Sequence, residues 1–137
     1  MARNLNRMVD TMTYDGLISG LSPEAKVKGV TIRKLGTAAT LVRGTILAKS
    51  SGSAGDGKLV IFGTSAASNE TLTADCILAE DIDVGTANDE NALVFIQGNF
   101  NEDALILKAG ASLTEDDRDA LRIRNIILGA SQTENVQ

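Results

Sequence analysis

The sequence has no histidine and no tryptophan, and it has one cysteine and one proline among its 137 residues. Without histidine, Ser-His-Asp and Cys-His catalysis and imidazole metal sites are excluded. A single cysteine, Cys76, excludes an intrachain disulfide, a cysteine-cluster zinc site and a dithiol redox pair. We therefore expect no enzyme, no cofactor and no metal site.

Aromatic residues are also scarce, since Tyr14 and three phenylalanines are the whole set. Four aromatics are too few for the stacking platforms of single-strand nucleic-acid binders, and a net charge of −5 argues against a DNA-coating surface. No apolar run approaches the length of a membrane span, and the polar first segment lacks the apolar region of a secretory signal. We predict a protein made in the cytoplasm, with neither nucleic acid nor a membrane as partner.

Charge is distributed unevenly along the chain. Residues 1–49 carry eight basic and three acidic groups, whereas residues 50–137 carry five basic and fifteen acidic groups. A basic N-terminal arm on an acidic body suggests that the two ends of the chain meet different surroundings. Alternatively, strands from both halves mix in one domain and the charges average out.

Residues 1–26 differ from the rest of the chain in the spacing of their apolar residues. Their apolar residues have neither helical nor strand spacing, and Gly16, Gly20 and Pro23 interrupt any continuous element. We interpret 1–26 as an extended N-terminal arm that is either disordered or ordered by a partner. A β-rich domain over 27–128 and a polar tail over 129–137 follow.

Short apolar runs separated by polar, glycine-rich loops are typical of strands. Thr114 is a good N-cap and is followed by three acidic residues, which predicts one short C-terminal helix. The pattern favours a mainly β protein, a small compact β-barrel or β-clip, over a parallel α/β sheet. The predicted strands are 41–48, 58–62, 74–82, 92–97 and 126–128, after an imperfect alternation over 27–35.

Two motifs suggest ligand chemistry, and each has a plainer interpretation. Residues 52–58 match the start of a phosphate-binding P-loop, but Leu59 replaces the Ser or Thr and a strand follows instead of a helix, so a hairpin loop is favoured. Four carboxylates near 83–91 could offer oxygen ligands to calcium, but their spacing does not fit an EF-hand loop, so a solvated acidic turn is favoured. They are Asp81, Asp83, Asp89 and Glu90.

An arm that cannot fold alone, followed by a stable β body, is typical of proteins that add a strand to a partner's sheet. Main-chain hydrogen bonds would hold such a strand, each contributing about 0.5–1.5 kcal/mol net. Several arms on one oligomer would bind far more tightly than one. The alternative is a frayed terminus with no role.

Four stretches resemble the head decoration protein D family of tailed bacteriophages. None carries a catalytic signature, so their order and spacing supply the specificity. The stretches are LVRGTILAK (41–49), ADCILAEDIDV (74–84), ALVFIQGNFNEDALIL (92–107) and DDRDALRIRNIIL (116–128).

The resemblance implies a β-tulip domain and a structural role without catalysis. Family members form homotrimers on the outer surface of the expanded head, at three-fold and quasi-three-fold positions. There they clamp neighbouring subunits of the major capsid protein against the pressure of packaged DNA. Their N-terminal arm adds a strand to the capsid protein's sheet. The implied location is the outer capsid surface of the virion.

The arm does not match a family motif residue by residue, so its candidate capsid contacts come from its own composition. Arg3 and Arg7 would meet acidic shell surface. The apolar candidates are Leu5, Met8, Met12, Tyr14, Leu17 and Ile18.

Outside the arm, Phe100 would be core or trimer seam, and the helix arginines would pair across a trimer seam or form a solvated face. The competing function is another virion binding module, such as a tail or fibre component or a host-surface or carbohydrate binder. Few aromatics make sugar stacking poor.

Overall fold

The computed structural model describes residues 16–20 and 23–129. These residues form nine strands, a 3-10 turn (Glu102–Ala104) and one α-helix, α1 (Glu115–Ile123). The strands are β1 (Ile18–Gly20), β2 (Lys26–Ile32), β3 (Ala39–Leu41), β4 (Ile46–Ser51), β5 (Leu59–Ile61), β6 (Thr71–Leu78), β7 (Ile82–Val84), β8 (Glu90–Asn101) and β9 (Ile126–Gly129).

Five strands close into a barrel in the order β8-β2-β5-β4-β6, because β8 pairs with both β2 and β6. The C-terminal end of β8 extends past the barrel, where β1 pairs with it antiparallel and β9 parallel. β3 and β7 form a separate two-stranded ribbon. The prediction of a mainly β barrel with one short C-terminal helix is confirmed.

Two apolar clusters lie on opposite sides of the barrel wall. The first fills the barrel interior and includes Cys76 and Val94, and the second lies outside, under α1, β1 and β9. Successive side chains of β8 serve both clusters, because Val94 points inward and Phe95 outward. Phe100 is fully buried in the outer cluster, with its ring centroid 5.2 Å from that of Phe95, so the core interpretation of Phe100 holds.

The helix α1 begins where the sequence predicts. The Thr114 side chain accepts a hydrogen bond from the Asp117 N–H, and the Asp117 carboxylate accepts one from the Thr114 N–H, which is a reciprocal capping box. Leu121 is the helix residue buried in the outer cluster. The cap and one apolar side chain therefore fix a nine-residue helix against the barrel.

Some local predictions are wrong because distant contacts decide the structure. Residues 41–48 are not one strand, because a turn at Gly44 separates β3 from β4. A Cβ on Gly44 would lie 3.2 Å from the Ala104 carbonyl oxygen, and its φ is +99°. Strand β7 lies partly in the predicted polar turn, and β1 lies within the segment interpreted as arm.

Candidate interaction surface at the root of the N-terminal arm

The first described segment, residues 16–20, packs tightly against the rest of the protein and is called the root of the arm here. Leu17 is 1% exposed and packs into the outer cluster, and its carbonyl accepts the Asn101 N–H at 2.8 Å. Ile18 pairs with Phe100 in the β1–β8 ladder and is partly buried. Leu17 and Ile18 are therefore part of the protein's core.

A second set of contacts fixes β1 to β8. The Ser19 hydroxyl donates to Asn99 Oδ1 at 2.9 Å, and a Cβ on Gly20 would lie only 3.0 Å from Asn99 Nδ2. Among the described strands, β8 is the one that pairs with β1, so β1 is an edge strand.

The sequence-predicted capsid contacts divide into two groups. Leu17 and Ile18 lie at the root, and in this structure Leu17 serves the core. The other six lie outside the described residues and are Arg3, Leu5, Arg7, Met8, Met12 and Tyr14. As capsid contacts, all eight residues stay predictions.

The P-loop-like segment is the hairpin between β4 and β5, and side chains hold it closed. Arg33 donates to Asp56 at 3.0 Å and to Glu70 at 2.5 Å, and the Ser50 hydroxyl also donates to Glu70. The Arg33 hydrogen bond lowers the pKa of Asp56 to about 2. The Ala67 N–H, then Ser50 and Arg33, lower the pKa of Glu70 to about 2. Asp56 thus ties the loop to Arg33, which directly follows β2, and its N–H donates to the Ser50 hydroxyl of β4.

Carboxylates of the acidic turn accept hydrogen bonds from donors within the same chain. The described residues contain no group of three or more His, Cys, Asp or Glu that could hold a metal ion. Lys58 forms an ion pair with Asp89 at 2.5 Å, which lowers the pKa of that carboxyl. The remaining bonds join Asp81 to the Arg43 N–H, Asp83 to the Thr40 hydroxyl and Asp89 to the Lys34 N–H.

The arginines of the C-terminal region pair within the chain. Arg118 donates to Glu102 at 2.7 Å and lowers the pKa of that carboxyl. Arg122 pairs with Asp119 and Arg124 with Asp75, each at 2.8 Å. The sequence interpretation missed these partners, because Asp75 and Glu102 lie far from the arginines along the chain.

The described residues form a closed five-stranded barrel with β1 at a sheet edge. No helix within residues 16–20 and 23–129 is long and apolar enough to cross a membrane. The family model for bacteriophage lambda head decoration protein D matches residues 10–126, so the chain belongs to this family of phage head decoration proteins. A search of curated proteins finds no match.

Family membership fixes the general role. Head decoration proteins are structural components of the phage capsid, which is not an enzyme class. Membership implies that the chain binds the phage capsid and is located in the virion.

Proposed function

We propose that the protein is a cement protein that binds the outer surface of an expanded phage head as a homotrimer. It occupies three-fold and quasi-three-fold positions and stabilises the shell against the pressure of packaged DNA. It is made in the cytoplasm of the bacterial host before it binds. The family match over residues 10–126 carries this proposal.

The arm is the proposed anchor to the major capsid protein. Its fifteen residues before Gly16 span about 50 Å when extended, enough to reach across a subunit surface. The burial of Leu17 and the β1–β8 ladder support this role, because tension on the arm passes directly to the core. The contacts assigned to the arm are Leu5, Met8, Met12 and Tyr14, with Arg3 and Arg7 facing acidic capsid surface.

Three arms on one trimer make the attachment strong. A single added strand gains about 0.5–1.5 kcal/mol for each main-chain hydrogen bond, and the entropy of ordering the arm opposes this gain. Once one arm is bound, the other two bind at a high effective concentration. Trimerisation and capsid affinity are therefore linked.

Capsid binding tests the proposal when the full chain is compared with a variant lacking residues 2–15. This deletion leaves Leu17 and β1 in place. Each protein is mixed with expanded, undecorated heads and sedimented, and its mass is measured by sedimentation equilibrium. We expect both to have the same mass in solution and only the full chain to co-sediment, with three copies bound at each three-fold position.

Other outcomes separate the alternatives. Equal binding by both proteins would place the docking surface on the body and contradict the arm contacts. Failure of the full chain to bind heads would favour a tail or fibre component, or a host-surface or carbohydrate binder. A number of bound copies other than three at each three-fold position would contradict the homotrimer.

A further inference from the structure

The first half of β2 is uncovered on both faces. Its residues Lys26–Gly29 are all exposed, and Val27 has 52% of its surface exposed. On one edge, β8 pairs with β2 along its whole length. On the other edge, β5 pairs with β2 only through Ile32 and Leu59. Half of a barrel strand is thus held by a single neighbour among the described strands.

The backbone of β2 presents hydrogen-bonding groups on this open edge that no described strand takes up. The Arg33 N–H donates to the Leu59 carbonyl on the β5 side. Because backbone groups of alternate residues in a strand point to the same side, Val27 and Gly29 direct their N–H and C=O groups toward the open edge. A Cβ on Gly29 would meet no atom within 4 Å, so the approach to this edge is clear.

A groove of about 250 Å³ lies beside the open edge and is lined by residues of β2, β4 and β5. Its walls combine apolar side chains with two lysines that form no ion pair with described residues. The acidic residue in the lining, Asp75, is already paired with Arg124 at 2.8 Å. The principal lining side chains are Lys28, Val30, Lys49, Leu59, Asp75 and Ile96.

We propose that this edge binds an extended, acidic segment of the major capsid protein, which adds as a strand beside Val27–Gly29. The added strand takes the open N–H and C=O groups, and its alternate side chains place carboxylates against Lys28 and Lys49. Charge selects the occupant, because the groove is locally basic in a chain with a net charge of −5. The inference rests on the proposed function but concerns a separate surface: here the body receives a strand, whereas the arm supplies one.

Charge reversal tests the groove. The variant Lys28→Glu/Lys49→Glu is compared with Lys34→Glu/Lys108→Glu, which makes the same charge change at exposed lysines outside the groove. Binding of each full-length variant to expanded heads is measured at low and high salt, after circular dichroism and thermal melts have verified folding. We expect the groove variant to lose about tenfold or more in affinity at low salt, since close charge pairs across interfaces couple strongly. Equal affinities of the two variants would overturn the inference.

Photocrosslinking identifies the occupant. Benzoylphenylalanine at position 27 should crosslink decorated heads to a capsid-protein peptide that carries carboxylates at alternate positions. A crosslink to residues 130–137, or to a second copy of this chain, would overturn the inference while leaving capsid binding intact. If the wild-type protein itself fails to bind heads, the proposed function is the part that fails.

Discussion

Gly98 occupies the point on β8 where the backbone passes closest to a buried ring. Its φ is +152°, and a Cβ there would lie 2.8 Å from the Phe100 ring. We expect Gly98→Ala to lower the free energy of unfolding by about 1–3 kcal/mol, because alanine is strained at this φ and the fully buried ring cannot move away freely. Urea unfolding measures the change.

The matched control is Gly36→Ala. A Cβ on Gly36 meets nothing within 4 Å, and its φ is not positive. The control should stay within about 0.5 kcal/mol of the wild type. Equal losses in both variants would contradict the role given to Phe100.

The Cys76 thiol should be unreactive in the folded protein. Its side chain lies in the barrel interior with no exposed surface, and burial raises the pKa of the thiol well above its usual range. A thiol-specific reagent such as Ellman's reagent should therefore react only after the protein unfolds. The variant Val42→Cys provides an accessible thiol, since Val42 is 38% exposed. Fast labelling of Cys76 under native conditions would contradict a closed barrel.

The hairpin between β4 and β5 should make stability depend on pH through Arg33. Folding lowers the pKa values of Asp56 and Glu70 to about 2, below the value of about 4 typical of unfolded chains. Their contribution is therefore fully present at neutral pH and is lost as the pH falls from about 5 toward 2. Arg33→Met removes the part of this contribution that Arg33 supplies, and leaves the Ala67 and Ser50 hydrogen bonds to Glu70 in place.

Urea midpoints at several pH values provide the measurement. The difference between wild type and Arg33→Met should be largest near pH 7 and should shrink as the pH falls below about 5. A difference that stays constant down to pH 2 would show that Arg33 acts through packing alone. Lys108→Met, which removes an exposed cation outside this network, should give no such pH dependence.

Elements with local signals were predictable from the sequence, and elements made by distant pairing were not. The capping box at residues 114–117 marks the start of α1, and the apolar run at 92–97 marks the centre of β8. Strand β1 has no such signal, because Ile18 becomes a strand residue only by pairing with Phe100. The division at Gly44 likewise depends on contact with the Ala104 carbonyl.

Part of the candidate site could be predicted from the sequence, and the rest depends on how the whole molecule folds. Arm composition indicated a binding segment, and the order of four stretches indicated the decoration family that the profile match confirms. The sequence could not show that Leu17 belongs to the core, because its neighbours in the outer cluster include Phe100, Leu121 and Ile126. Nor could it show the open edge of β2, which arises because β5 is too short to cover it.

We expect the boundary between arm and body to lie near Gly16, and truncation can locate it. Deleting residues 2–15 keeps the buried Leu17 and the β1–β8 ladder, so we expect it to leave the thermal midpoint unchanged. Deleting residues 2–20 removes the Leu17 side chain and the β1 ladder, and loss of a buried leucine alone costs about 2–5 kcal/mol. We expect the longer deletion to lower the midpoint strongly, as measured by calorimetry. Only the shorter deletion can therefore separate loss of the anchor from loss of the fold. Equal midpoints for the two deletions would show that β1 contributes nothing to the body and would return residues 16–20 to the arm.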